Sequence, residues 1–266
     1  NIDGHFAPFA VYKKTWLDKL GSFDPQFRCS REDSDTIIRM HLVGLKLTQS
    51  WNACVYHFTC VSSRGTGWYK NDEEANYKKE IQSKADEQEL KRFYRKWGYF
   101  GHLPKPTYDV TFNIELDCFV DFNILKYIEP HCTRMYLSDI GVVKQLISQV
   151  DFESYYYSNL RWEYTNDNWE KNKQYVTTND FKQRILLKSP TLKGDNIVSF
   201  KYSDLIRNPQ EKIDILTKIQ DLIHTTDIGN YEYDIFTFNI NEKNNLQKEK
   251  SIFDYKKILT TDLKFN

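Results

Sequence analysis

The sequence predicts an α/β protein in two parts, and three observations carry that expectation. Early in the chain an acidic cluster opens a helix-period run, with short apolar strand candidates beyond it. From Tyr108 onward, strand-like segments alternate with helical ones, the pattern of a mainly parallel sheet. Between the two, Pro104 and Pro106 bracket a lysine and mark a boundary. Residues 1–103 form the first part and 104–266 the second.

Taken in order, His5 to Tyr12 (HFAPFAVY) reads as a short strand. Lys13 to Leu20 reads as a brief helix stopped by Gly21, a residue suited to a left-handed cap, and Phe23-Asp24-Pro25 is turn chemistry. Ser30 fits an N-cap with Asp33 three residues on, the capping-box spacing. Ile37, Ile38, His41, Leu42 and Leu45 then share one helical face, and Gly44 closes the helix. Leu45 to Leu47 and Ala53 to Phe58 are short strand candidates. Ser62 to Gly67 (SSRGTG) is a loop with two glycines. Asn71 to Trp97 is charge-dense with a thin apolar stripe of Tyr77, Ile81, Phe93 and Trp97, as expected of a long surface helix or helix pair packed on one side.

In the second part Tyr108 to Leu116 (YDVTFNIEL) alternates with period two. Phe122 to Ile128 reads as helix, Arg134 to Leu137 as strand and Val142 to Val150 as helix. Asn196 to Tyr202 is a strand, Pro209 to Ile223 a helix with proline in its first turn, and Tyr233 to Ile240 a final strand. Tyr155 to Lys188 is polar and ambiguous. The alternation makes this part a Rossmann-like α/β accessory domain.

Composition narrows the function classes. Hydrophobic content of 40% and charged content of 28% describe a soluble globular protein. No apolar run approaches the ~20 residues of a membrane span. Lys+Arg and Asp+Glu are equal at 37, so no global field recruits nucleic acid or anionic lipid. Five cysteines are odd in number and form no C-x-x-C pair, which points to reduced thiols and a cytoplasmic setting. The first residue is Asn1 and a patterned segment follows almost at once, so the chain is expected to be the C-terminal portion of a longer polypeptide.

One set of residues carries a resemblance. Gly4, Phe9, Lys13, Leu20-Gly21, Phe23-Asp24, Phe27, Glu32-Asp33, Asp35, Arg39, Gly44 and His57, in this order and spacing, resemble the C-terminal half of family 2 glycosyltransferases. The likeness covers roughly the first 65 of 266 residues. It implies a GT-A fold, a nucleotide-diphosphate sugar donor and a glycan or related acceptor, with Asp33 as general base and Glu32 beside it. Asp35 would contact an acceptor hydroxyl. In metal-dependent relatives a histidine beyond the helix completes the coordination of a divalent ion, Mn or Mg, and that role falls on His57.

Physical chemistry stands beside the resemblance. An acceptor hydroxyl is a poor nucleophile, so a carboxylate must take its proton as it attacks the anomeric carbon. A helix start presents that carboxylate on a rigid element, and the macrodipole there favours negative charge. The departing diphosphate needs cations, for which Arg64 in the glycine loop is the candidate. Trp16 and Trp51 are candidates to stack on an acceptor sugar, with core packing the alternative for both. Asp33 as a mere cap, Asp35 as a first-turn acid, His57 as a buried histidine and Arg64 as a surface cation are the structural alternatives. Asp33-Ser34-Asp35 follows a turn and opens a helix, so it is not the strand-ending Asp-x-Asp that holds a donor metal. No other strand ends that way, and the donor-binding half is expected to lie outside this chain. The isolated chain is then expected to bind a sugar nucleotide poorly. A non-catalytic interaction protein built on a relic transferase module is the alternative reading.

Overall fold

The computed structural model describes residues 27, 30–42, 72–101, 103–149 and 185–246. The strand expected at His5 to Tyr12, the turns around Gly21, the strands expected at residues 45–47 and 53–58 and the loop at 62–67 lie outside them. The chain forms two compact units. The first comprises Asn1–Phe93, Phe100–Lys105 and Lys250–Asn266, and the second Tyr94–Tyr99 and Pro106–Glu249.

In the first unit, α1 spans Glu32–Leu42 and α2 spans Asp72–Trp97, its residues through Phe93 belonging here. Of the apolar face read for α1, Ile37 and Ile38 are almost wholly enclosed and His41 and Leu42 half-buried, while Met40, outside that face, is enclosed as well. Ser34–Met40 are buried without a break. Phe93 of α2 is equally buried, and its ring meets Phe27 edge-on with centroids 6.0 Å apart. Such ring pairs add about 0.5–1.5 kcal/mol to their area burial.

The second unit is built on a six-stranded mixed sheet in the order β3-β2-β1-β4-β6-β5. The strands are β1 (Val110–Glu115), β2 (Arg134–Leu137), β3 (Ile185–Leu187), β4 (Asn196–Lys201), β5 (Gly229–Tyr233) and β6 (Phe236–Ile240). The neighbours from β3 through β4 pair in parallel, while β6 joins β4 and β5 antiparallel. Helix α3 (Phe122–Ile128) follows β1 and α4 (residues 140–149) follows β2. After β4 come α5 (Tyr202–Arg207), α6 (Pro209–Thr217) and α7 (Ile219–Thr225).

Period two explains how the sheet is used. Val110, Phe112 and Ile114 point to one face, joined by Met135, Leu137, Val198, Phe200, Phe236, Phe238 and Ile240, all buried. Leu125, Leu146, Leu205, Leu216 and Ile223 from the helices complete that core. The opposite face carries Thr111, Asn113, Glu115, Ser199, Lys201 and Thr237. Residues 188–195 connect β3 to β4, and there Thr111 Oγ1 donates to the carbonyl of Lys193 at 2.9 Å. Gly194, at φ +139°, is required at this approach because a Cβ there would collide with Thr111 Oγ1.

Four elements differ from the sequence expectation. The stretch read as a single strand, Tyr233 to Ile240, holds the last residue of β5, a turn at Asp234-Ile235 with Asp234 at φ 52°, and β6, the two strands forming a hairpin. The helix Pro209 to Ile223 breaks at Lys218 (φ −100°, ψ 12°) into α6 and α7. Tyr202 starts α5 rather than ending β4, its hydroxyl pinned by the Asp121 backbone. Lastly, β3 emerges at the end of the stretch read as ambiguous. It is three residues long and leaves no periodic trace.

Candidate functional site

The acidic cluster sits where the sequence reading put it, at the start of a helix, but its three carboxylates are treated differently. Glu32 and Asp33 are half-buried on the first turn of α1. Asp33 Oδ1 accepts from the backbone N–H of Ser34 at 2.6 Å and from its hydroxyl at 3.3 Å. Asp35 is fully enclosed, and its Oδ2 accepts from Arg39 Nε at 2.8 Å, one turn along the same buried face. Any contact between Asp35 and an acceptor hydroxyl would first require that pair to open. Arg39 Nη2 reaches Thr36 Oγ1 at 3.3 Å, and that hydroxyl donates to the carbonyl of Glu32 at 2.7 Å. The buried side of the helix is thus tied to the turn that carries Glu32 and Asp33.

The expected capping box does not form. The backbone N–H and hydroxyl of Ser30 both donate to Glu89 Oε2 on α2. Glu89 is wholly buried, and a carboxylate taken out of water draws on every donor within reach. Nothing local in the sequence signals this bond, because its partners lie 59 residues apart. The residue before the helix, Arg31, adopts φ 71°, a left-handed conformation uncommon outside glycine. Its guanidinium lies 4.7 Å over the Phe100 ring, while its Nε is buried without a hydrogen-bond partner. Arg31 is a cation beside the acidic pair that the sequence reading passed over, although its adjacency to Glu32 was visible.

Trp16, Trp51, His57 and Arg64 lie outside the described residues. Among the described residues no group of three or more His, Cys, Asp or Glu side chains is placed to hold a metal ion. No helix among them is long and apolar enough to cross a membrane. Cys118 is an exposed free thiol and Cys132 a buried one.

Compared with family models, with characterised proteins and with solved structures, the chain matches none.

Proposed function

We propose that the chain supplies the acceptor side of a glycosyl-transfer site, with Asp33 as general base and Glu32 beside it. The observation that carries this reading is that Asp33 stays half-buried on the first turn of a helix whose following residues, Ser34–Met40, are all packed away. The reading takes the first unit as GT-A-like and the second as a Rossmann-like accessory domain. The β3-β2-β1-β4 order of parallel strands supports the latter. Donor and acceptor would be a nucleotide-diphosphate sugar and a glycan, in the cytoplasm, with Mn or Mg expected near His57.

In the proposed step an acceptor hydroxyl attacks the anomeric carbon and its proton passes to the Asp33 carboxylate. The bond from that carbon to the diphosphate oxygen breaks, and the leaving group keeps the electron pair. A single displacement inverts the anomeric centre, and one base suffices. Asp35, paired with Arg39, fixes the turn that presents Glu32 and Asp33.

The test is transfer by the full-length protein that contains this chain, from a panel of nucleotide sugars to oligosaccharide acceptors, comparing wild type with Asp33→Asn. The substitution should lower kcat by about 100-fold or more, the usual worth of a general base, and leave donor KM and thermal midpoint nearly unchanged. A wild-type rate in the variant removes Asp33 as base. No transfer by wild type from any donor favours the non-catalytic alternative.

A further inference from the structure

The order of strands in the second unit reverses between β1 and β4. The chain runs β1, β2, β3 in one direction across the sheet and then places β4 on the far side of β1. Open α/β sheets bind ligands outside the carboxyl ends of the strands at such a point. A groove of about 290 Å³ opens there. Glu115 and Lys201, the last residues of β1 and β4, are register partners on its floor. Lys188 enters from the end of β3 and Asp204 from α5. Deeper in, Asn113 Nδ2 donates to Ser199 Oγ at 3.0 Å, which leaves Asn113 Oδ1 buried with no hydrogen-bond partner.

Most of the charges in this groove are uncommitted. Among the described residues, the side chains of Glu115 and Lys188 have no hydrogen-bond or ion-pair partner, Lys201 forms neither but is felt by the Asp117 carboxylate, and Asp204 meets Arg207 at 3.3 Å near the surface. Two cations and two carboxylates cancel, so the groove offers no net field to a polyanion such as a diphosphate. The loop after β1 (Leu116-Asp117-Cys118-Phe119) also lacks the glycines that bring backbone N–H groups to a phosphate. A neutral sugar would offer its hydroxyls to these four charged groups but no charge opposite to any of them. A ligand carrying one charge of each sign answers Glu115 and the two lysines.

We propose that this groove binds a small zwitterion of the α-amino-acid class. The ligand's ammonium lies against Glu115, and its carboxylate lies against Lys201 and Lys188. The site belongs to the second unit alone and stands whether or not Asp33 acts as a base.

Ligand-observed NMR of the full chain with the standard L-amino acids at millimolar concentration tests this, with glucose and inorganic phosphate as comparison probes. At least one free amino acid should give a saturable signal. Its N-acetyl and its carboxamide derivatives should each bind wild type at least about tenfold more weakly, as should the parent ligand to Glu115→Gln or Lys201→Met. The proposal is overturned if no amino acid binds, if blocking either end of the ligand changes nothing, or if glucose or phosphate saturates the site while amino acids do not. The blocked ligands keep the test decisive even where a variant proves unstable.

Discussion

The two ends of the sheet in the second unit are made of the same kinds of residue and use them differently. At the amino ends of the strands, Asp109 receives two contacts from Arg134 Nη1, at 2.8 and 2.6 Å, and a hydrogen bond from the Thr133 hydroxyl. Asn196 donates to the Asp109 carbonyl at 2.9 Å. Beside this cluster, burial holds His131 down at about 4, with the nearby Glu129 charge opposing the shift, and its ring packs 4.5 Å from that of Tyr94. At the carboxyl ends, Glu115 and Lys188 carry charges with no partner among the described residues, and Lys201 meets the Asp117 carboxylate through its field alone. Asp117 is held there below the usual carboxylate range by the Ser203 hydroxyl and N–H, which anchor the loop to α5 and leave the groove open. Charges that satisfy one another belong to the fold, whereas charges left open at a strand-order reversal are available to a ligand.

The comparison can be sharpened at the amino end first, where the effects are largest. His131 has a folded value of about 4 against 6.5 for the free side chain. Between these values the unfolded chain binds more protons, so stability is complete above pH 6.5 and is lost as pH falls toward 4. The gap corresponds to about 3 kcal/mol. Urea unfolding of wild type and His131→Phe across that range should show the variant gaining on wild type by about that amount at the acid end. Parallel curves would mean that His131 is not a buried neutral group. A smaller loss, about 2 kcal/mol at all pH values where the carboxylate is ionised, is expected for Asp109→Ala, because Arg134 then has no counter-charge. Arg134 is one-third exposed, which keeps the figure below that of a sealed pair. A loss under about 0.5 kcal/mol would show the cluster to be ornamental.

How much of this was legible in the sequence follows from the range of each interaction. Period-two alternation in Tyr108 to Leu116 gave β1 because alternate side chains face a single core, and Phe122 to Ile128 was bounded correctly because Asp121 caps it locally. The hairpin at Asp234-Ile235 escapes the sequence reading because neither residue is a glycine, and its one trace is the break in alternation at Ile235-Phe236. On the site, the helix start and its acids were legible, since they depend on neighbours in the chain. The diversion of Ser30 to Glu89 and the sealing of Asp35 by Arg39 were not, because burial decides both. The groove at Glu115 and Lys201 could not be read at all, as only the parallel register of β1 with β4 brings those two residues together.

The smallest expected effect is the most telling for the carboxyl end. Glu115 and Lys201 are exposed and oppositely charged on adjacent strands, a cross-strand arrangement worth 0.2–1 kcal/mol when the pair is closed. Here it is open, so Glu115→Gln and Lys201→Met should each change unfolding free energy by no more than about 0.5 kcal/mol, the range of surface substitutions remote from specific contacts. Their combination should add without coupling, since nothing between them is broken. A double-mutant cycle returning more than about 1 kcal/mol would mean that the two charges meet in solution. The carboxyl end would then resemble the amino end, with its charges serving the fold and the groove closed to a zwitterion.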